Sequence, residues 1–266
     1  MERTVYLFMK DNLVVPEAYP REHILHGISE DIVLKDYDVQ ELDFYAVPLS
    51  NAPAQVFCYA LPPSNTLVCG WTVYPIRSII IAAQKDTADA RVAHIVRAAH
   101  IMQWRMTSVF CGTCGTRNTD AAIELARLCP ACGRMEYPRI TPAVIVLITN
   151  NKDEILLAHN RNFPDNMFSL IAGFNEAGET LEETVHREVF EEVALRVTDI
   201  AYSASQPWPF PASLMIGWTA RHESGAIHCD GVEIEEAHWF ARDKLPALPG
   251  LGSIARYLIN RWLNAF

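Results

Sequence analysis

Gly173 to Leu195 reads GFNEAGETLEETVHREVFEEVAL, with seven glutamates in twenty-three residues. Gly173 and Gly178 mark a turn, and Thr180 and Glu183 have the spacing of a capping box at the start of a helix. Leu181, Val185, Val189 and Val193 recur every four residues and predict one buried stripe. At about 100° per residue, Glu188 and Glu192 fall at the edge of that stripe, with Glu191 just beyond it. Like charges at i, i+3 and i+4 destabilise a helix, so their clustering beside a buried face predicts a compensating cation. Gathered carboxylate oxygens suit a hard dication, Mg²⁺ or Mn²⁺, which also shares phosphate oxygens. The plainer alternative is a solvated acidic face.

The fixed spacing decides between them. From Gly173 the chain reads Gly, five residues, Glu179, seven residues, Arg187-Glu188-Val189, one residue, Glu191-Glu192. This resembles the Nudix box, the pyrophosphatase motif of the Nudix hydrolases. One position departs. The family has glycine after Val193, closing the helix in a left-handed conformation, and this chain has Ala194. Alanine there costs about 1 kcal/mol if the geometry is kept.

The 266 residues suffice for two domains, and half of them are hydrophobic, as in a soluble globular protein. A net charge of −10 argues against nonspecific binding of duplex nucleic acid, though metal ions still let such a protein take an anionic substrate. There is no membrane-spanning run, and Met1-Glu2-Arg3-Thr4 does not begin a signal peptide, so a cytoplasmic enzyme is the expectation. Seven cysteines, an odd number, argue against a pure disulfide framework.

Residues 1–106 form a candidate N-terminal domain without evident chemistry. Its first apolar run is Tyr6-Leu7-Phe8, and Val5 is not read as core. Strands are expected at Phe44–Val47, Val56–Leu61 and Leu67–Val73, with Pro62-Pro63-Ser64-Asn65 as a turn. Asp89 is a candidate cap for a helix from Ala90 to Trp104, with Val92, Ile95, Val96, Ala99 and Met102 on one face. Cys58 and Cys69 are expected as small buried hydrophobes in strands, and His94 and His100 as packed or surface residues.

Residues 107–136 hold Cys111-Gly-Thr-Cys114 and Cys129-Pro-Ala-Cys132, two knuckles separated by fourteen residues and each followed by glycine. Four thiolates at this spacing close a tetrahedral Zn²⁺ site with no spare ligand, hence a structural one. The competing readings are disulfides or a redox dithiol, which the doubled spacing disfavours.

Residues 137–266 are the expected catalytic domain. Strands are read at Ala143–Ile148, Glu154–His159, Ile200–Ser203, Leu214–Ala220 and Ile234–Phe240, with Ser169–Ala172 leading into the glycine turn and Ser253 capping a helix over Ile254–Leu263. Helices on a mixed sheet imply an α/β/α sandwich. Cys229 stands alone and is expected to be inert. In Ser205-Gln-Pro-Trp-Pro-Phe-Pro-Ala-Ser213, three alternating prolines predict a stiff, extended loop between two strands. It would present Trp208 and Phe210 for stacking on a flat ring.

That SQPWPFPxS element, downstream of a Nudix box and a four-cysteine ribbon, resembles the NADH pyrophosphatases, the Nudix subfamily that cleaves NAD(H). The resemblance covers residues 107 to 266, and is weak in the N-terminal third, around Val73–Arg77. It implies an α/β Nudix sandwich with a zinc-ribbon insert and a smaller, mostly β N-terminal domain. It also implies hydrolysis of the pyrophosphate bond to AMP and nicotinamide mononucleotide, and removal of NAD caps from RNA. Glu188 and Glu192 would be metal ligands, and Glu191 a ligand or the base. The Ala172 carbonyl and Glu233 complete the set, with Glu235 and Glu236 as rivals to Glu233. Arg187 would hold a box glutamate, and Glu179 would brace the loop–helix junction. Substrate contacts would come from Gln206, Pro207, Trp208, Pro209, Phe210, Pro211, Ala212 and Ser213. Tyr137, Glu124, Arg77 and the amide near Ala255 would add to them in a homodimer. Other readings are a broader dinucleotide or ADP-sugar pyrophosphatase, a silent nucleotide sensor, which the intact glutamates oppose, and an RNA-binding ribbon, which lacks a basic surface.

Overall fold

The computed structural model describes residues 4–19, 21–37, 43–48, 55–61, 66–83 and 90–265. The chain divides into two compact units, residues 1–140 with 209–212, and residues 141–208 with 213–266.

The first unit contains β1 (Thr4–Met9), β2 (Asn12–Pro16), β3 (Ile28–Ser29), α1 (Glu30–Asp36), β4 (Asp43–Pro48), β5 (Gln55–Ala60), β6 (Trp71–Pro75), α2 (Ile76–Ala83) and α3 (Ala90–Thr107). The strands run in the order β4-β5-β1-β2-β6, with β3 beside β1. Val5 is fully buried in β1, against expectation: a single valine ahead of an aromatic run gives no periodic signal, yet it faces Ile28 across the β1–β3 ladder. Cys58 is buried as expected, but Cys69 is exposed, because strand pairing begins only at Trp71 and leaves residues 67–70 outside the sheet. The α3 face of Val92, Ile95, Val96, Ala99 and Met102 is buried as read. The expected turn at Pro62–Asn65 and cap at Asp89 lie outside the described residues. Three short strands, β7 (Thr119–Asp120), β8 (Arg127–Leu128) and β9 (Met135–Glu136), form the ribbon sheet.

The second unit contains β10 (Thr141–Thr149), β11 (Ile155–Asn160), β12 (Ile171–Phe174), α4 (Leu181–Val193), β13 (Arg196–Trp208), β14 (Ser213–Ser224), β15 (Ile234–Phe240) and α5 (Ile254–Leu263). Its sheet runs β13-β14-β10-β11-β15, with β12 antiparallel to β10. The central pair, β10 and β14, is parallel. A strand buried on both faces should be a continuous apolar run, and β10 is one. Its Val144, Val146 and Ile148 pack with Val185, Val189 and Val193 of α4, while Ile145 and Leu147 pack with Ile254, Leu258 and Trp262 of α5. Strand alternation thus sends successive side chains to opposite helices, which makes this unit an α/β/α sandwich. Among the described residues, no helix is long and apolar enough to cross a membrane.

The proline–aromatic element differs from the expected loop. Ser205–Trp208 complete β13 and Ser213 opens β14, with Trp208 opposite Ser213, so only Pro209–Ala212 lie outside the strands. Pro207 is accommodated because β13 is an edge strand. The Phe210–Pro211 peptide is cis.

Candidate active site and zinc cluster

The box begins on β12, where Gly173 pairs with Val144. A Cβ at Gly173 would stand 1.9 Å from the Glu188 carboxyl carbon, so glycine is what lets the Glu188 carboxylate lie against the β12 backbone. Gly178 answers a different need, a backbone with φ of +96°. Thr180 then caps α4: its Oγ1 accepts from the Glu183 N–H at 3.2 Å, and the Glu183 carboxylate accepts from the Thr180 N–H at 2.7 Å. At the other end Ala194 takes the left-handed conformation, φ 56° and ψ 23°, and its N–H donates to the Phe190 carbonyl. The helix therefore ends as it would with glycine, and alanine carries the strain.

Arg187 organises the acidic face. Its Nε donates to Glu179 at 2.6 Å, its Nη1 to Glu188 at 2.8 Å and Glu191 at 3.1 Å, and its Nη2 to the Phe174 carbonyl at 2.8 Å. Glu179 also accepts from the Glu176 N–H and the Thr184 hydroxyl, and so ties the turn to the helix. The hydrogen bonds from Arg187 are the largest reason its carboxyl titrates down at about 2.

Glu192 has the opposite environment. It is 7% exposed, its Oε2 has no hydrogen-bond partner, and burial, aided by Glu188, Glu233 and Asp230, pushes its carboxyl up to about 8. The Ala172 backbone partly offsets this. Burial also raises the Glu188 carboxyl, against the pull of Arg187. Glu191 is the exposed member, at 59%.

Glu188, Glu191, Glu192, Glu233 and Ala172 line one cavity of about 420 Å³. Asp230 and Glu176 bring its lining carboxylates to six, with no basic side chain among the lining residues. An orphaned, buried carboxylate oxygen in so acidic a cavity suits a divalent cation, which would supply the missing partner. Glu235 and Glu236 do not join the lining: they lie beside His159 and His238. Asp230, Glu176 and Phe174 also line the cavity, and the sequence reading gave them no part there. The Asp230 signal was available, as an Asp-Gly turn just before a strand.

The other expected substrate residues are placed as follows. The Gln206 amide is engaged on both sides, accepting from the Ile254 N–H and donating to the Gly252 carbonyl, each at 2.8 Å. Trp208 and Phe210 are half-buried. Ala255 is buried in the first turn of α5. In the first unit, Tyr137 donates to Glu124 at 2.7 Å, and Arg77 is exposed in the first turn of α2.

Cys111, Cys114, Cys129 and Cys132 bring their sulfurs within 4.8 Å of one another. The Sγ separations of 3.5 Å for Cys114–Cys129 and 3.7 Å for Cys111–Cys132 approach the edge of about 3.8 Å expected of a tetrahedron with Zn–S bonds of about 2.3 Å. Gly115 and Gly133 both have φ of +73° and donate back to Cys111 and Cys129, so the two knuckles repeat one turn. Four free thiols converging in this way fit structural zinc.

The NADH pyrophosphatase zinc ribbon family matches residues 107–137, and the NUDIX domain family matches residues 139–262. The NAD-capped RNA hydrolase NudC of Chromobacterium violaceum is 45% identical over 186 residues, 70% of this chain and 68% of that protein. Its namesake from Pseudomonas aeruginosa strain LESB58 is 48% identical over 166 residues, 62% of this chain and 59% of that protein. The match thus spans about two thirds of these relatives or less. With a box on the β12–α4 junction that is complete but for Ala194, and a four-cysteine ribbon ahead of it, this chain belongs to the Nudix hydrolase family, in the branch that carries the NADH pyrophosphatase zinc ribbon.

Proposed function

We propose that this protein hydrolyses the pyrophosphate bond of NAD(H), free or at the 5′ end of RNA, giving AMP and nicotinamide mononucleotide from the free dinucleotide. The observation that carries the reading is the orphaned Glu192 carboxylate oxygen in a cavity lined by six carboxylates. Glu188, Glu192, Glu233 and the Ala172 carbonyl would hold Mg²⁺ or Mn²⁺, and Glu191 would serve as a further ligand or as the base. A dication bound there would supply charge neutralisation of the phosphates and activation of a water.

The chain's own residues set the rest. Arg187 holds Glu188 and Glu191 in place and leaves Glu192 to the cation. Glu179, kept ionised by Arg187, braces the turn and does not touch substrate. Trp208 and Phe210, each flanked by prolines, stack on the rings of the dinucleotide. Gln206 supports Trp208 two residues away on the same strand face, since its amide is taken up by Gly252 and Ile254. Arg77, Glu124, Tyr137 and the Ala255 amide complete substrate binding in a cytoplasmic homodimer whose sites draw on both chains. The names of the relatives support the NAD-capped substrate, while the residue roles and the homodimer rest on the family resemblance.

The test is incubation with NADH, ADP-ribose and NAD-capped RNA, each with Mg²⁺ or Mn²⁺, followed by chromatographic identification of products. AMP and the mononucleotide from NADH, and a 5′-monophosphate RNA from the capped one, are expected. Absence of AMP from every dinucleotide would sink the proposal.

A further inference from the structure

Glu233 sits on a turn that enters β15, and that turn is fastened by two residues with no assigned role. The Asp230 carboxylate accepts from the N–H groups of Val232 at 3.1 Å, Glu233 at 3.2 Å and Ile234 at 2.9 Å. All three bonds use Oδ1, while Oδ2 takes only a second bond from the Glu233 N–H at 3.2 Å. The Asp230 N–H donates to the Glu192 carbonyl at 3.1 Å, so the same residue joins the last turn of α4 to the turn bearing Glu233. Gly231 turns at φ +69° and donates to the Ile234 carbonyl. From the end of β11, the Arg161 N–H donates to the Glu233 carbonyl at 3.0 Å, and its Nη2 to the Gly231 carbonyl at 2.9 Å. The β11–β15 ladder shifts register at His159/Asn160, immediately before Arg161. Such irregularities re-aim a chain beside a functional cavity.

A short loop held only by its ends would leave an exposed glutamate free to swing away from two other carboxylates, because like charges repel. Here the backbone of Glu233 is hydrogen-bonded on its N–H by Asp230 and on its carbonyl by Arg161. We propose that Asp230 is a positioning residue for Glu233, fixing the turn that aims the Glu233 carboxylate into the cavity with Glu188 and Glu192. Asp230 lines the same cavity, but its Oδ1 is committed to the backbone, and it acts through Glu233 and not as a ligand. The inference rests on reading the cavity as a dication site.

The test uses the full chain and Mn²⁺ as the probe, with free Mn²⁺ followed by electron paramagnetic resonance and NADH hydrolysis measured separately. D230A should weaken Mn²⁺ binding about tenfold or more, the usual cost of losing a group that orients a ligand. D230N keeps an oxygen where Oδ1 accepts its three N–H bonds and should retain most of the affinity. In an E233A background, D230A should add no further loss. Circular dichroism establishes folding, and D230S, which keeps one acceptor, replaces D230A if that variant does not fold. Three results would overturn the proposal: wild-type affinity in D230A, an equal loss in D230N and D230A, or a full additional loss in D230A/E233A. The first denies any role, and the other two make Asp230 a ligand. Mn²⁺ binding by the wild type without hydrolysis of any dinucleotide would defeat the proposed function, while the binding arms still decide the role of Asp230. Absence of Mn²⁺ binding would defeat both.

Discussion

In the ribbon, four sulfurs stand within 4.8 Å of one another, brought together by two backbone turns that repeat the same hydrogen bonds. In the box, the carboxylates are spread around a cavity and held by a cation of the chain, Arg187, and by burial. The difference follows from charge. Thiols can be neutral, so backbone geometry alone gathers them. Carboxylates repel, and among the described residues no group of three or more acidic side chains draws its oxygens as close as the cysteines draw their sulfurs. The ribbon is therefore built to close on one ion and keep it. The box leaves room for a cation shared with phosphate.

Removing zinc tests this most severely. Structural zinc supplies about 10 kcal/mol or more of apparent binding free energy, which a small site converts into folding. Cys129→Ser should take zinc from one ion per chain to near none by elemental analysis and open residues 107–137 to limited proteolysis. Stripping Mg²⁺ or Mn²⁺ from the wild type should leave α4 intact by hydrogen exchange. If α4 melts with the dication, the box is not preformed and the contrast fails.

The next largest effect is on catalysis. Glu192→Gln keeps the shape of a buried α4 side chain that lines the cavity but removes its acid group. We expect kcat to fall by about 100-fold or more, as when a group acting directly on the reaction is lost. Metal-free stability should stay level or rise by about 1 kcal/mol, because folding a carboxyl into a site that raises its titration costs stability that an amide does not lose. Loss of activity with a gain in stability, read by steady-state kinetics and urea unfolding, marks a residue kept for chemistry. Full activity would remove Glu192 from the ligand set.

How much of this was legible beforehand differs between the two regions. The capping box, the buried stripe of α4, the four cysteines and the Ser253-capped α5 could be read because each is a local pattern with one physical solution. The alternation of β10 between two helices could be expected from its apolar run but not assigned, since nothing in the run says which helix takes which face. Val5, Cys69 and the strand state of Ser205–Trp208 were misread because strand pairing is decided by distant partners: Ile28 for Val5, and residues 213–216 for the Ser205–Trp208 stretch. Asp230 could be read as the start of an Asp-Gly turn, but not as a cavity residue, because its work is done through backbone amides, which carry no residue signature.

Gly173→Ala probes the box through packing alone. The new Cβ would stand 1.9 Å from the Glu188 carboxyl carbon, so that side chain must leave and its bond to Arg187 must break. Overpacking of this kind costs about 1–3 kcal/mol. Urea unfolding should show that loss, and Mn²⁺ titration should show weakened binding. The glycines of the ribbon differ: a Cβ at Gly115 or Gly133 meets nothing within 4 Å, and only their φ of +73° resists substitution.

Ala194→Gly should have the smallest effect and the opposite sign. Ala194 already adopts φ 56°, where a non-glycine residue carries about 1–2 kcal/mol of steric cost. Glycine removes that cost but adds unfolded-state entropy worth about 0.4–1 kcal/mol. The net expectation is a gain of about 0.5–1 kcal/mol, with kcat and metal dependence unchanged because the α4 geometry is already that of a glycine-ended helix. Urea midpoints at constant slope measure it. A destabilised Ala194→Gly would mean that the alanine methyl contributes packing worth more than the left-handed strain.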